Sequence, residues 1–212
     1  MNIKEIINNR GIAEILHFTT NKGALGILDG RCVKSRKRLN TDERLEHVFK
    51  PNAGNRDKDL AWLDYVNLSV SKINLSFFSI CSEKWHVHED YWWCIFAFSP
   101  HILEHPGVYF TTTNNIYTSV KRCTGEDGLR NMFCDSITRW SGNVVRRSAQ
   151  LDESFTTCEQ AEILYPKKLS TEYLTKIYVA GESHADELFA QIRAVNHVDV
   201  EIEVAPSMFR QH

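Results

Sequence analysis

The longest unbroken apolar run in the chain is Trp92–Phe98, Trp-Trp-Cys-Ile-Phe-Ala-Phe. It is far short of the ~20 residues that a membrane-spanning helix needs. Its length and bulky side chains suit a strand, and with no polar residue at alternate positions that strand must be fully buried. A strand covered on both sides requires a sizeable core. The 212 residues can supply one, since a chain of this length buries roughly 70% of its unfolded surface. No disulfide or metal staple is needed. Hydrophobic residues make up 42% and charged residues 25% of the chain, which is the balance of a globular protein.

The formal net charge of −2 excludes a globally basic, nucleic-acid-coating protein, while leaving local basic patches open. Six cysteines (32, 81, 94, 123, 134 and 158) form no CxxC pair. They read as reduced thiols, several of them buried, and point to a cytoplasmic address. Zinc-ligand spacing is absent, so no metal is expected. Met1–Arg10 is polar and has no apolar signal core. Neither secretion nor membrane association is expected. Without a repeat or a proline- or glycine-rich linker, residues 1–212 read as one domain.

Alternation in Glu14–Thr20 predicts a strand that puts Ile15, His17 and Thr19 on one face. Asn21 then reads as the cap of a short helix carrying Leu25, Ile27 and Leu28, with Gly30 as its stop. The segment Lys34–Lys58 is polar and holds eight lysines and arginines. A loop of that length in a compact domain is usually functional or disordered. Further strands are predicted over Tyr65–Val70, Val108–Thr113, Ala161–Tyr165, Lys176–Ala180 and Val198–Val204. Ser71–Cys81 is ambiguous. Helices are expected over Gly125–Trp140 and from a Ser183 cap to Val195. Strands and helices mix without strict βαβ alternation, which predicts an α+β fold with a mixed or antiparallel central sheet and flanking helices.

The chain has no GxxxxGKS/T phosphate loop, GxGxxG, HExxH or GxSxG. Kinase, dinucleotide-fold, zincin and α/β-hydrolase chemistry therefore lack support. His86 and His88 share a strand face with Glu89 and Asp90 nearby, but a solvated loop before the buried strand is the simpler account. Pro100 and Pro106 bracket His101 and His105, which makes that pair a surface turn.

Gln160-Ala161-Glu162 is more informative. On a strand Gln160 and Glu162 share a face, an arrangement that resembles the QxE motif of ADP-ribosyltransferases. Cleaving nicotinamide from NAD builds an oxocarbenium-like ribose, and a carboxylate beside it stabilises that charge. A neighbouring amide can orient the acceptor. His17 and Thr19 on the first strand strengthen the pattern.

Several segments together resemble the DarT toxins, NAD-dependent DNA ADP-ribosyltransferases. They are Leu16-His17-Phe18-Thr19 with Asn21, Leu25, Ile27-Leu28 and Gly30; Leu63-Asp64-Tyr65-Val66 after a basic loop; and Glu159-Gln160-Ala161-Glu162-Ile163-Leu164. The resemblance spans roughly residues 14–180 and implies a single-domain ADP-ribosyltransferase fold. By it, Glu162 is the catalytic glutamate. His17, Thr19, Leu25 and Tyr65 stand on the NAD side. An arginine of the basic loop, Arg56 before Arg44 or Arg38, contacts the pyrophosphate or assists catalysis, because its planar fork suits phosphate. The resemblance implies a guanine or thymine acceptor in single-stranded DNA, with RNA or a protein side chain as alternatives, and a macrodomain antitoxin as partner. Gln160, Arg146, Arg147 and Trp140 are expected to serve the acceptor, the tryptophan by stacking on a base. Two departures stand out: Asn67-Leu68 follows Asp-Tyr-Val where the family has Pro-Phe, and Ile163 replaces a phenylalanine. A non-enzymatic module that binds single strands through the same arginines and aromatics is the competing reading.

Overall fold

The apolar run forms β4 (Trp93–Phe98), and both of its faces are buried. Cys94, Phe96 and Phe98 enter the larger core cluster, while Ile95 and Ala97 enter a second one. In the computed structural model, which describes residues 2–39, 57–85, 87, 90–140 and 142–210, β4 lies inside an eight-stranded sheet. On one side of it stand β11 (Leu174–Val179) and then β12 (Glu201–Val204). On the other side stand β1 (Ile15–Thr20), β3 (Tyr65–Val70), β9 (Glu162–Pro166), β5 (Tyr109–Thr111) and β6 (Arg122–Thr124). Among the described residues, only the β11–β12 pair in this sheet is parallel. The mixed sheet predicted from the sequence is thus present.

Helices α1 (Ile3–Arg10), α2 (Asn21–Asp29), α4 (Gly125–Asn131) and α5 (Glu182–Ala194) bury apolar residues in the larger cluster. Helix α3 (Leu75–Ile80) serves the second cluster through Leu75 and Phe78 and runs on into a π-helical turn. Two small antiparallel pairs complete the described fold: β2 (Cys32–Lys34) with β10 (Lys168–Ser170), and β7 (Ser136–Thr138) with β8 (Val144–Arg146).

Several expectations need correction. The polar start is helix α1, closed by a capping box between Asn2 and Glu5 and anchored by buried Ile6 and Ile7. Thr20, not Asn21, caps α2: its hydroxyl accepts from the Gly23 N–H at 3.2 Å. Ambiguous Ser71–Cys81 contains α3, started by the Asn74 side chain. The helix expected over Gly125–Trp140 stops at Asn131. Leu129, Met132, Phe133 and Ile137 are all buried, as their spacing suggested, but Ile137 belongs to β7. Helix α5 starts after Gly181, and Ser183 lies within its first turn.

Sheet register explains where the cleft lies. β1 and β3 pair only at Ile15–Val70 and Leu16–Ser69. β1 follows β4 along all six of its residues, Ile15 to Thr20, while β3 follows β9. The sheet opens between β1 and β3, and Tyr65, Asn67 and Ser69 line the opening from the outer face of β3. Val66, Leu68 and Val70 alternate with them into the core.

Candidate functional site

The opening leads into a cleft of about 450 Å³ lined by β1, β3, the start of β9, α3, the 114–117 loop and the segment after β2. That volume suits a small-molecule ligand. Glu162 stands at its floor, at the first position of β9. Its backbone is pinned to β5: Glu162 pairs with Thr111 and its N–H donates to the Thr111 hydroxyl at 3.0 Å, while the rest of β9 from Ile163 onward also pairs with β3. Thr111 is fully buried. The carboxylate is held at both oxygens. Oε1 accepts from the Asn67 side-chain amide at 2.9 Å, and Oε2 accepts from the Asn115 backbone N–H at 2.8 Å.

Both donors are themselves fixed. The Asn67 carbonyl accepts from His17 Nδ1 at 3.1 Å. A carbonyl only accepts, so the proton sits on Nδ1 and Nε2 keeps a lone pair. His17 leaves part of its surface open to the cleft, but desolvation dominates its ring and holds its pKa below the usual histidine value. The imidazole is neutral and takes the place where the β1–β3 ladder would continue. Arg122 on β6 donates from Nε to the Asn115 side chain at 2.5 Å and from its other fork nitrogen to the Asn115 carbonyl. The same guanidinium lies over the Trp62 ring, 5.4 Å from its centre. Tyr109 packs edge to face on both Trp62 and Tyr65 beside it, Trp62 and Tyr65 are tilted against each other, and burial pushes the Tyr65 phenol up.

Of the residues singled out in the sequence, His17, Tyr65, Gln160 and Glu162 line the cleft together. Gln160 lies just before β9, not within it, and its Oε1 is buried with no hydrogen-bond partner among the described residues. Thr19 and Leu25, expected on the NAD side, do not line the cleft. Thr19 instead faces α2, where a Cβ at Gly23 would fall 2.1 Å from its hydroxyl. Arg56 and Arg44 lie outside the described residues, as do His86 and His88. Arg38 is committed to a two-point pair with Asp64, at 2.7 and 2.9 Å, which also takes the Ser35 hydroxyl. That fork holds the Asp64 carboxyl below its ordinary value. Lys34 and Arg36 from the same basic segment do line the cleft.

Trp140 sits in the turn between β7 and β8, closed by Arg139–Asn143 and Asn143–Trp140 backbone bonds of 2.8 Å. It is 57% exposed and stacks at 5.7 Å on Tyr117, a cleft residue. Arg146 is exposed at the end of β8, away from the cleft lining. Arg147, expected at the acceptor, is not available to one. Its guanidinium donates to the carbonyls of Phe155 at 2.7 Å and Asp152 at 2.9 Å, and only 10% of its side chain is exposed.

Sequence reasoning missed Asn115 and Arg122 altogether, because a loop amide and an edge-strand arginine carry no periodic signal. Asn67 did carry one: it departs from the family pattern and shares the face of Tyr65.

Comparison with known proteins gives one family. The model of the DarT family, described as ssDNA thymidine ADP-ribosyltransferase, matches residues 16–210. No curated protein matches the sequence at a significant level. Solved structures share the fold at low identity. Thermus sp. 2.9 DarT in complex with NAD+ superposes with a TM-score of 0.65 at 13% identity, covering 94% of this chain and 98% of that one. The same protein in complex with ADP-ribosylated ssDNA gives 0.62 at 12%, covering 94% and 97%. Thermosipho africanus DarTG in complex with ADP-ribose gives 0.62 at 14% and covers 93% of this chain; the chain spans 51% of that one.

Proposed function

The chain belongs to the DarT family of single-stranded-DNA thymidine ADP-ribosyltransferases, and from that premise we propose that it transfers ADP-ribose from NAD to thymine in single-stranded DNA, with Glu162 as the catalytic group. The observation that carries this reading is the Glu162 carboxylate, fixed at both oxygens on the floor of a cleft that also holds a neutral histidine and two cations.

The cleft fits NAD chemically. Lys34 and Arg36 supply positive charge for a pyrophosphate. Neutral His17 can accept a hydrogen bond from a ribose hydroxyl at Nε2. Phe18, Phe77 and Ile80 offer an apolar wall for a ring. NAD supplies the ADP-ribosyl group, and the bond that breaks joins its ribose to nicotinamide, which leaves with the electron pair. Glu162 stabilises the positive charge that develops on the ribose, and because sheet and donors already fix the carboxylate, little reorganisation is required. Glu162 also takes the proton that the thymine ring nitrogen must lose as it bonds to the sugar. The buried Gln160 Oε1, without a partner among the described residues, can accept from an acceptor group that carries a donor. Trp140, stacked on Tyr117 at the rim, offers a base platform.

The reading extends to a cytoplasmic toxin whose modification a partner antitoxin with an ADP-ribosyl-removing macrodomain reverses. No helix among the described residues is long and apolar enough to cross a membrane.

Incubation with labelled NAD tests the reaction. Nicotinamide release that depends on added single-stranded, thymidine-containing DNA is expected. Equal release without DNA, or modification of RNA alone, would overturn the proposal.

A further inference from the structure

The residue that joins the two sides of the cleft is Asn67. Its side-chain amide donates to Glu162 Oε1 at 2.9 Å, and its own carbonyl accepts from His17 Nδ1 at 3.1 Å. A single position on β3 therefore sets the direction of the carboxylate and the tautomer of the imidazole. This is also where the sequence leaves the Asp-Tyr-Val-Pro-Phe pattern. A proline there would have no side-chain donor, so this contact to Glu162 depends on the asparagine. The opposite oxygen is served by the Asn115 N–H, whose peptide and side chain are both gripped by Arg122. Among its partners in the described residues, the carboxylate thus has a donor carried by a strand and another carried by a loop that an arginine braces.

We propose that Asn67 is the positioning residue of this site: its amide aims the Glu162 carboxylate while its carbonyl presents the His17 Nε2 lone pair, so that both groups meet the substrate in one fixed geometry. The inference rests on the reading of Glu162 as the catalytic group. Asn67 acts through Glu162 and His17, and its loss should lower the rate of the chemical step more than the affinity for NAD. Misplacement of a catalytic group by about 1 Å can cost on the order of 10²-fold.

The nature of the contact gives a test that a merely structural asparagine would not satisfy. Asn67→Asp keeps size and shape but replaces the donor by a second carboxyl in contact with Glu162. Two carboxyls that close cannot both ionise freely, so the pair retains a proton to higher pH. Among the described residues, the charged and titratable groups that share the cleft with Glu162 are His17, Lys34, Arg36, Tyr65 and Tyr117, with Arg122 behind Asn115. All of them stay unchanged in the variant.

Carboxyl-detected NMR on glutamate-labelled protein, with the Glu162 signal assigned from its disappearance in Glu162→Gln, reads the titration without any substrate. In Asn67→Asp the Glu162 midpoint is expected to rise by about one pH unit or more, and the acid limb of the kcat profile should move up with it. In Asn67→Ala, kcat should fall roughly 10- to 100-fold while KM for NAD changes less than about 3-fold. An unmoved Glu162 midpoint would overturn the proposal. So would an Asn67→Ala protein that keeps kcat and loses NAD affinity, which would make Asn67 a binding residue. If the unmodified protein consumes no NAD with DNA, the functional reading fails, and the substrate-free titration still decides whether Asn67 holds the carboxylate.

Discussion

The floor of the cleft and its rim are built in opposite ways. At the floor, Glu162 lies on a strand paired on both sides, and three described groups that touch it, Asn67, Asn115 and Thr111, are each held by further bonds. At the rim, Trp140 rides on the turn of a two-stranded hairpin and leaves most of its ring in solvent, steadied by one stacking contact. The difference fits the roles proposed for each. A group that stabilises charge in a transition state gains from being fixed beforehand. A surface that takes a single strand gains from an exposed ring face, because every base has one to stack on.

Removing Glu162 breaks the comparison at its strongest point. Glu162→Ala should lower modification by about 10³-fold or more, while NAD binding measured by calorimetry persists through the cations and His17. Next in size is the brace. Arg122→Gln releases the Asn115 peptide and should reduce kcat by roughly 10-fold to 100-fold, with KM for NAD little changed in steady-state kinetics. At the rim, Trp140→Ala should weaken oligonucleotide binding by about 1–3 kcal/mol and leave NAD affinity alone; fluorescence titration of a labelled strand checks both. The smallest functional effect is expected from the paired arginines. Arg147→Ala should lower the melting temperature, since its guanidinium ties down the 152–155 carbonyls, at a cost of about 1–3 kcal/mol. Arg146→Ala should instead leave the melting temperature unchanged and slightly flatten the salt dependence of strand binding.

The floor was more legible in the sequence than the rim. β4 announced itself because a strand buried on both faces can hold no polar residue. The places of Glu162, His17 and Tyr65 in the cleft were readable because strand periodicity sets their faces and the family pattern singles them out. Helix α1 escaped because its polar face dominates Met1–Arg10 and only Ile3, Ile6 and Ile7 reveal the apolar one. Thr19 and His17 looked equivalent by a two-residue period, but β1 passes from the cleft to α2 within that step, so only His17 lines the opening. Arg146 and Arg147 are adjacent and chemically identical. What separates them is a loop that folds back over one of them, and no local pattern encodes that. Asn115 meets Glu162, and Arg122 reaches Asn115, only through tertiary pairing of β5, β6 and β9.

The central claim, that the fixed carboxylate at the floor drives transfer to thymine, is tested most directly by mass spectrometry of two single-stranded DNA oligonucleotides, one with thymidine and one without, treated with NAD and either the unmodified protein or Glu162→Gln. The expected result is one ADP-ribose added to the thymidine strand by the unmodified protein, none to the other strand, and a loss of about 10³-fold in Glu162→Gln even though size and shape are retained. Normal modification by Glu162→Gln, or equal modification of both strands, would contradict it.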